Sequence, residues 1–497
     1  MARIAVIGAG MGALAAAARL AVAGHRVTVY ERAATYGGAV GRFERAGFVF
    51  DTGPGLLHLP AVWRDLFIKT GKEPLEQCVG LVQVDPASRH LFADGTEVLL
   101  PNASRAGIVS ALDAALGAGA GERWGAFLGR ARDAWDRSRR PLLEEPLWAD
   151  WQVLGRDPYP ALRQRKALRM RQASTVAEVG AWELAEPRLA ALLDGYALAY
   201  GLDPRHAPAG AAVLPYMEQT FGSWYAEGGL RELARAVYER CLARKVEFAF
   251  GTEVCRIAEK DGRAAGVELA DGTVAGADHV VAGAGVAADL VGHELWRDTD
   301  VRPHGSAGGT PLPGRFTVLL ALSGARPGSA VHRSVVHSPA AGAEAAAVFA
   351  GRPAERPTVT VLRPDDPRTR PDEVHEAVTL SATVPAHGGA GVDWTDAALR
   401  ERYAQVLIDA ARTAVPEIRE RLLWHEIRTP AEAGVVSAPA LAGGGGRYLH
   451  PANSTRLPGL YLVGGRSHPG GGLAHAGMSG ALVAGLIVEG PEFRGSQ

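Results

Sequence analysis

RIAVIGAGMGALAAAARLAVAGHRVTVYE, residues 3–31, carries three structural signals in twenty-nine positions. Arg3 to Ile7 is a short apolar run with β-branched members, the pattern of a buried parallel strand. Met11 to Ala23 has the alanine and leucine content of a helix, and Arg26 to Tyr30 repeats the strand pattern. The segment is therefore a βαβ unit with almost no loop. Gly8, Gly10 and Gly12 stand where strand gives way to helix, and Ala13 fills the sixth place of a G-x-G-x-x-G/A fingerprint. Gly8 makes the turn, Gly10 lets main chain approach a pyrophosphate, and Ala13 is small enough for the helix to close on the strand. The helix start offers its free amides to phosphate. Glu31 follows Gly12 by nineteen residues, close to the roughly 20 expected of an acid that binds a ribose hydroxyl. Taken alone, Glu31 reads as a solvated strand-end carboxylate; taken with the glycines, it implies dinucleotide binding.

A basic residue before an apolar run also begins a secretory signal, but the glycines and Arg19 interrupt this one, so it reads as part of the folded domain. The composition agrees. The 497 residues carry a net charge of −1, with 47% hydrophobic and 22% charged, which disfavours disorder and a nucleic-acid-coating role. The 62 glycines exceed the usual share and imply many sharp turns or close approaches of main chain. Cys78, Cys241 and Cys255 form no C-x-x-C pair or Cys/His cluster, which excludes a disulfide scaffold and predicts no metal site in a reducing cytoplasm. No stretch is long and apolar enough to predict a membrane-spanning helix.

Further along, Trp124 to Leu202 has helical spacing, Leu230 to Arg244 is an amphipathic helix, and Val246 to Phe250 is a strand. Thr252 to Val281 alternates around turns at Asp261-Gly262 and Asp271-Gly272. Phe316 to Ser323, Thr358 to Leu362 and Ala377 to Val384 predict an antiparallel sheet, and the Pro- and Gly-rich run from Val301 to Gly314 a loop. GLYLVGGRSHPGGGLAHAGMSGALVAGLI, residues 459–487, then reads as a strand, a glycine-rich turn and a helix starting near Gly472. Such a helix start can set its dipole and free amides against a flavin ring and stabilise the reduced anion.

With the double glycine Gly37-Gly38, the run FDTGPGLLHLP from Phe48, LPYMEQTFGSWYAEGGLRELARAV from Leu214, the stretch from Val246 to Val281 and PANSTRLPGLYLVGGRSHPGGG from Pro451, the chain resembles the bacterial phytoene desaturases and related carotenoid desaturases of the flavin amine oxidase group. The resemblance is nearly full length. It implies an α/β fold: a Rossmann-type FAD-binding domain assembled from residues 1–75, 226–295 and 435–497, and a mixed sheet-plus-helix substrate domain from 76–225 and 296–434, mainly helical over about 124–202. It also implies non-covalent FAD held by Gly8, Gly10, Gly12, Glu31, Arg32, Gly38 and Val254, with the flavin near Gly53, Pro54, Gly464, Gly465, Gly472, Leu473 and Ala474. Two departures stand out. Ala39 occupies a place where arginine is frequent, so Arg42 is expected to take over a phosphate contact, and Arg466 replaces a frequent acid and is expected to face phosphate.

A desaturase of this type removes a hydride and a proton across a C–C bond of a polyene such as phytoene, with oxygen or a quinone as electron acceptor. A hydrocarbon is held by apolar burial, about 0.8 kcal/mol per CH2. Tyr216, Phe221, Trp224 and Tyr225 are the expected walls, with ordinary packing as the plainer reading of each. His468 and His475 flank the flavin-side helix start and could carry the proton; a carbonyl contact and a packed helix face are their plainer readings. Glu218 and Glu227 bracket the aromatic segment and could face a cationic intermediate. ALRQRKALRMRQ, from Ala161, sets Arg163, Arg165, Lys166, Arg169 and Arg171 beside Leu162, Leu168 and Met170. It reads as a basic amphipathic helix for peripheral contact with the cytoplasmic membrane face, or as a solvated surface. Other readings keep the flavin but shrink the substrate to a secondary-metabolite polyene or cyclic diene that is dehydrogenated or aromatised, or drop the chemistry for a lipid-escort role. Amine oxidation would need an amine cage, and none is visible.

Overall fold

The structure is a computed structural model, and it describes residues 1–163, 170–283, 290, 312–388 and 391–495. The opening stretch forms β1 (Arg3–Ile7), α1 (Met11–Val22) and β2 (Arg26–Glu31). Later segments supply α2 (Arg231–Ala243), β3 (Glu247–Phe250), β4 (His279–Gly283), β5 (Leu460–Val463) and α3 (Leu473–Val488). The five strands make one parallel sheet in the order β3-β2-β1-β4-β5. Strand order reverses at β1, and α/β sheets open a ligand crevice at such a switch point. Both faces are covered, as parallel strands require. Val6, Val29 and Val281 pack toward the helices. Ile7, Val280 and Leu462 pack toward an antiparallel layer of Val254–Lys260, Arg263–Leu269 and Val274–Gly276.

Helices α1 and α3 meet along a seam nearly free of side chains. A Cβ on Gly480 would lie 2.5 Å from the Gly12 oxygen and 2.7 Å from Ala15 Cβ and Ala16 N. One on Gly12 would lie 3.0 Å from Ala476 O and Gly464 Cα. The alanine run of α1 is buried throughout, so its small residues serve close approach as well as helix propensity.

The second unit is built on a mixed seven-stranded sheet: Leu422–Arg428, Gly314–Ser323, His375–Val384, Val359–Leu362, Arg333–Val336, Ser88–Leu91 and Glu97–Leu100, in that spatial order. Its neighbours are antiparallel except the parallel pair of Arg333–Val336 with Ser88–Leu91. Helix Ala397–Ala411 buries Tyr403, Leu407 and Ile408 against this sheet. Helices Arg105–Leu116, Ala120–Arg139 and Pro187–Ala199 form a further core. A small antiparallel sheet of Leu57–His58, Ser223–Ala226 and Leu81–Gln83 lies between the early and middle segments.

One expectation is corrected. Where it is described, the basic run from Ala161 is a ribbon: Leu162–Arg163 pairs antiparallel with Met170–Arg171. Arg171 stacks on Trp182, its Cζ 3.1 Å from the ring centroid, a tertiary contact that the local pattern could not contain. Arg165, Lys166, Leu168 and Arg169 lie outside the described residues, as does most of the loop expected over Val301 to Gly314.

Gly480→Val should lower the thermal midpoint of the FAD-free protein, through about 1–3 kcal/mol of overpacking. Gly342→Ala, in the exposed helix Ala341–Phe349 with open space around it, should leave the midpoint unchanged or slightly raised. Equal midpoints for the two variants would contradict the seam.

Candidate functional site

Gly8 adopts φ +89°, open to glycine at no cost, and its amide donates to the Tyr30 carbonyl at 2.8 Å. Gly10 precedes α1 with no side-chain cap, so the first-turn amides have no side chain covering them. The Glu31 carboxylate accepts from Ala9 N at 2.7 Å and from Ala33 N at 2.8 Å, which holds the acid across the mouth of the glycine turn. The double glycine lies flat on that turn: Gly37 N donates to Ala9 O at 2.7 Å, and a Cβ on Gly38 would be 3.0 Å from Gly10 Cα. Gly53 is pressed against the next residue along, where a Cβ would fall 2.0 Å from the Ala39 oxygen. From the other end of the chain, Gly464 touches Gly12, and Gly472 opens α3 without a side-chain cap. Glycines from four stretches thus bring main chain close together, with no room for a Cβ at Gly12, Gly38 or Gly53 and open space beside Gly8, Gly10 and Gly464.

Leu473 is half-buried and Ala474 is buried in the first turn of α3, while Pro54, Arg32 and Arg466 are exposed. Gly465 packs on Gly471. Val254 is buried beneath β1 and β2, just after Thr252 N donates to Glu31 O at 2.9 Å. A cavity of about 260 Å³ runs beside this surface, lined by Glu31, Tyr36, Gly38, Arg42, Arg231 and Arg428 among others. Arg42 lines it too, paired with Glu44 and with Glu232 at 3.6 Å. An acid at one end, guanidinium groups around the rest and two uncapped helix starts fit a dinucleotide, with Glu31 toward sugar and cations toward phosphate.

The four aromatic residues expected as walls lie in different surroundings. Tyr216 and Phe221 lie with Trp135, at ring distances of 6.2 and 5.8 Å, in an apolar cluster with Leu59, Met217, Met478 and Ala474. Trp224 packs into the nucleotide core and donates to Phe221 O at 3.0 Å. Tyr225 points the other way and donates to Asp366 at 2.9 Å, because neighbours on the strand Ser223–Ala226 face opposite sides.

His468 is fully buried, and its Nε2 lies 2.9 Å from the Glu145 carbonyl, so it is the N–H nitrogen. Its Nδ1 is left as a buried lone pair with no partner among the described residues. Burial holds His468 at about 4, and burial together with His450 holds His475 at about 4, so both are neutral at pH 7. Glu218 is buried: desolvation alone would raise its carboxyl, but the charges of Arg333 and then His58 hold it at about 2. It pairs with Arg333, lies 3.4 Å from His58 and accepts from Tyr196 at 3.3 Å. Glu227 is exposed. The sequence reading missed His58 and Arg333, which reach Glu218 from distant segments, and Asp51, whose carboxylate caps α2 through Leu230 N at 2.9 Å and Arg231 N at 3.3 Å. A D-T-G step after a strand was the available signal for Asp51.

A model of the family "Flavin containing amine oxidoreductase" matches residues 14–488. The chain is 28% identical to a 4,4'-diapolycopene oxygenase of Methylomonas sp, covering 98% of each chain. It is 29% identical to a phytoene desaturase (neurosporene-forming) of Rhodobacter capsulatus, covering 99% of this chain and 95% of that one. Among solved structures it is similar to an oxidoreductase from Methanosarcina mazei, with a TM-score of 0.63 at 17% identity over 97% of this chain and 99% of the other.

For His475 the folded value of about 4 lies below the ordinary 6.5, so the unfolded chain takes up the proton first. Its contribution to stability is complete above pH 6.5 and is lost as pH falls toward 4. Asp51, which burial raises to about 6, acts in the opposite sense, so the comparison is made by variant. His475→Gln should show a smaller fall in urea midpoint between about pH 7 and about pH 5 than the unmodified protein. An unchanged fall would contradict a neutral buried imidazole.

Proposed function

The chain belongs to the flavin-containing amine oxidoreductase family, and we propose that it is an FAD-dependent desaturase of an apolar polyene of the carotenoid-precursor class. The carrying observation is the apolar cluster of Leu59, Trp135, Tyr216, Met217 and Phe221, which packs against Ala474 and Met478 in the first turns of α3. Near-full-length likeness to carotenoid desaturases supports the same reading. An ammonium substrate fits poorly. Glu218, on the helix that carries Tyr216 and Phe221, is already neutralised by Arg333 and offers no spare negative charge.

FAD, when bound, supplies the two-electron oxidant. Its diphosphate and ribose fall to the Gly8–Gly12 turn, Glu31, Gly38 and Arg42, and its ring to Gly53, Pro54, Gly464, Gly465, Gly472, Leu473 and Ala474. The apolar cluster excludes water and holds a hydrocarbon by burial, at about 0.8 kcal/mol per CH2, so its position is set by length and shape. For the proton we assign His475 and His468. Both are kept unprotonated by burial, and the tautomer of His468 leaves Nδ1 as its acceptor. Oxygen or a quinone is the electron acceptor we assign.

Among the described residues no helix is long and apolar enough to cross a membrane. We infer peripheral contact with the cytoplasmic membrane face, because the ribbon Leu162–Arg163/Met170–Arg171 exposes Met170 beside Arg171 and Trp182, which is itself partly exposed. The protein should pellet with anionic vesicles at low salt and be released at high salt. Equal soluble fractions with and without vesicles would contradict this contact.

Purified protein should be yellow, and anaerobic addition of phytoene should bleach the flavin absorbance while putrescine should not. Bleaching by short or cyclic polyenes alone would move the substrate to a smaller secondary metabolite. Bleaching by the amine would overturn desaturation, and a colourless protein unable to take up FAD would favour an escort role.

A further inference from the structure

We propose that Arg428, which belongs to the seven-stranded sheet, binds the diphosphate of FAD and so makes the cofactor a clamp between the two units. The inference rests on the FAD reading above. Its basis is an inventory of the cations that line the 260 Å³ cavity. Arg42, assigned to the diphosphate above, is already paired with Glu44 and lies 3.6 Å from Glu232, so part of its charge is balanced within the protein. Arg231 donates to the Tyr36 and Val40 carbonyls and to Thr35 Oγ1, and stacks on Tyr36 with its Cζ 4.0 Å from the ring centroid. It fixes the loop around the double glycine and keeps little for a ligand. Arg428 differs. Its nearest carboxylate, Glu432, is 3.7 Å from Nη1, its Cζ rests 5.2 Å from the Phe43 ring centroid, and its Nε is buried with no hydrogen-bond partner among the described residues.

The Arg428 side chain is 34% exposed although its Nε is buried, so the Nη end of the guanidinium is the part left open to a ligand. The two Nη groups of a guanidinium present paired donors, a geometry that matches two phosphate oxygens better than a ribose hydroxyl or an adenine edge. The charge pattern assigns the ends: Glu31 takes sugar hydroxyls, and the cationic side takes the diphosphate that joins the two halves of FAD. Arg428 closes the strand Leu422–Arg428, which pairs through Thr317 with the rest of the sheet. An anion held by Arg428 and by the start of α1 therefore ties that sheet to the nucleotide unit.

The test is titration of FAD and of ADP into FAD-free protein, read by flavin fluorescence for FAD and by calorimetry for both. Arg428→Ala should raise the Kd for both ligands about tenfold or more, and Arg428→Lys by less, because lysine keeps the charge but loses the fork. The difference from the unmodified protein should shrink as salt rises. Glu432→Gln should leave both Kd values unchanged, which separates phosphate binding from the intrasheet ion pair. Thermal midpoints of the FAD-free variants should match the unmodified protein. Tight binding of FAD and ADP by Arg428→Ala, or a Kd loss in Glu432→Gln equal to that in Arg428→Ala, would overturn the clamp and leave the flavoprotein reading intact. Failure of the unmodified protein to bind either ligand would overturn both.

Discussion

The whole arrangement depends on how closely two helices from opposite ends of the chain approach one another. Gly480 of α3 rests on Gly12, Ala15 and Ala16 of α1 with no room for a Cβ, and Gly12 in turn rests on Gly464. Dispersion between close-packed main chains is small per atom and large along a seam, and it is lost steeply with separation. Because the seam admits no side chain, it brings the two uncapped helix starts to one side of the sheet. Both present their positive ends there, and an anionic, electron-accepting cofactor is the chemistry which that field favours.

The second unit solves a different problem, that of keeping ionic groups inside a buried core. Isolated charges there would be prohibitive, so they are paired. Glu218 is matched by Arg333, and Glu376 is held by Arg363 at 2.7 Å and by Arg421 at 2.8 Å. Histidines are kept neutral instead: burial sets His332 and His337 at about 4. A core balanced in this way offers an ammonium ion little reward. Arg428 is less tightly matched: its nearest carboxylate, Glu432, is 3.7 Å away, and the residue lines the cavity beside Glu31 and Gly38.

What could be read in the sequence was local. The strand, glycine turn and helix of residues 3–31 follow from period and propensity within one window, as do the strand and helix on either side of Gly464. That these two windows share one sheet and one seam is long-range, and family resemblance rather than periodicity carried it. The aromatic residues failed as a group for a local reason: Ser223–Ala226 is a strand, so Trp224 and Tyr225 face opposite ways while Tyr216 and Phe221 share a helix. His58, Arg333 and Arg428 had no local signal. Each acquires its meaning from a partner or cavity supplied by another segment, and the basic run near Ala161 was misread as a helix because its pairing lies across a hairpin.

If both termini close on one cofactor, FAD should slow amide hydrogen exchange in two places at once. Exchange measured with and without saturating FAD should show new protection at residues 8–12 and at residues 464–475, with little change in the helix Ala397–Ala411. Protection confined to the N-terminal turn, with the C-terminal glycine segment exchanging as before, would contradict the account.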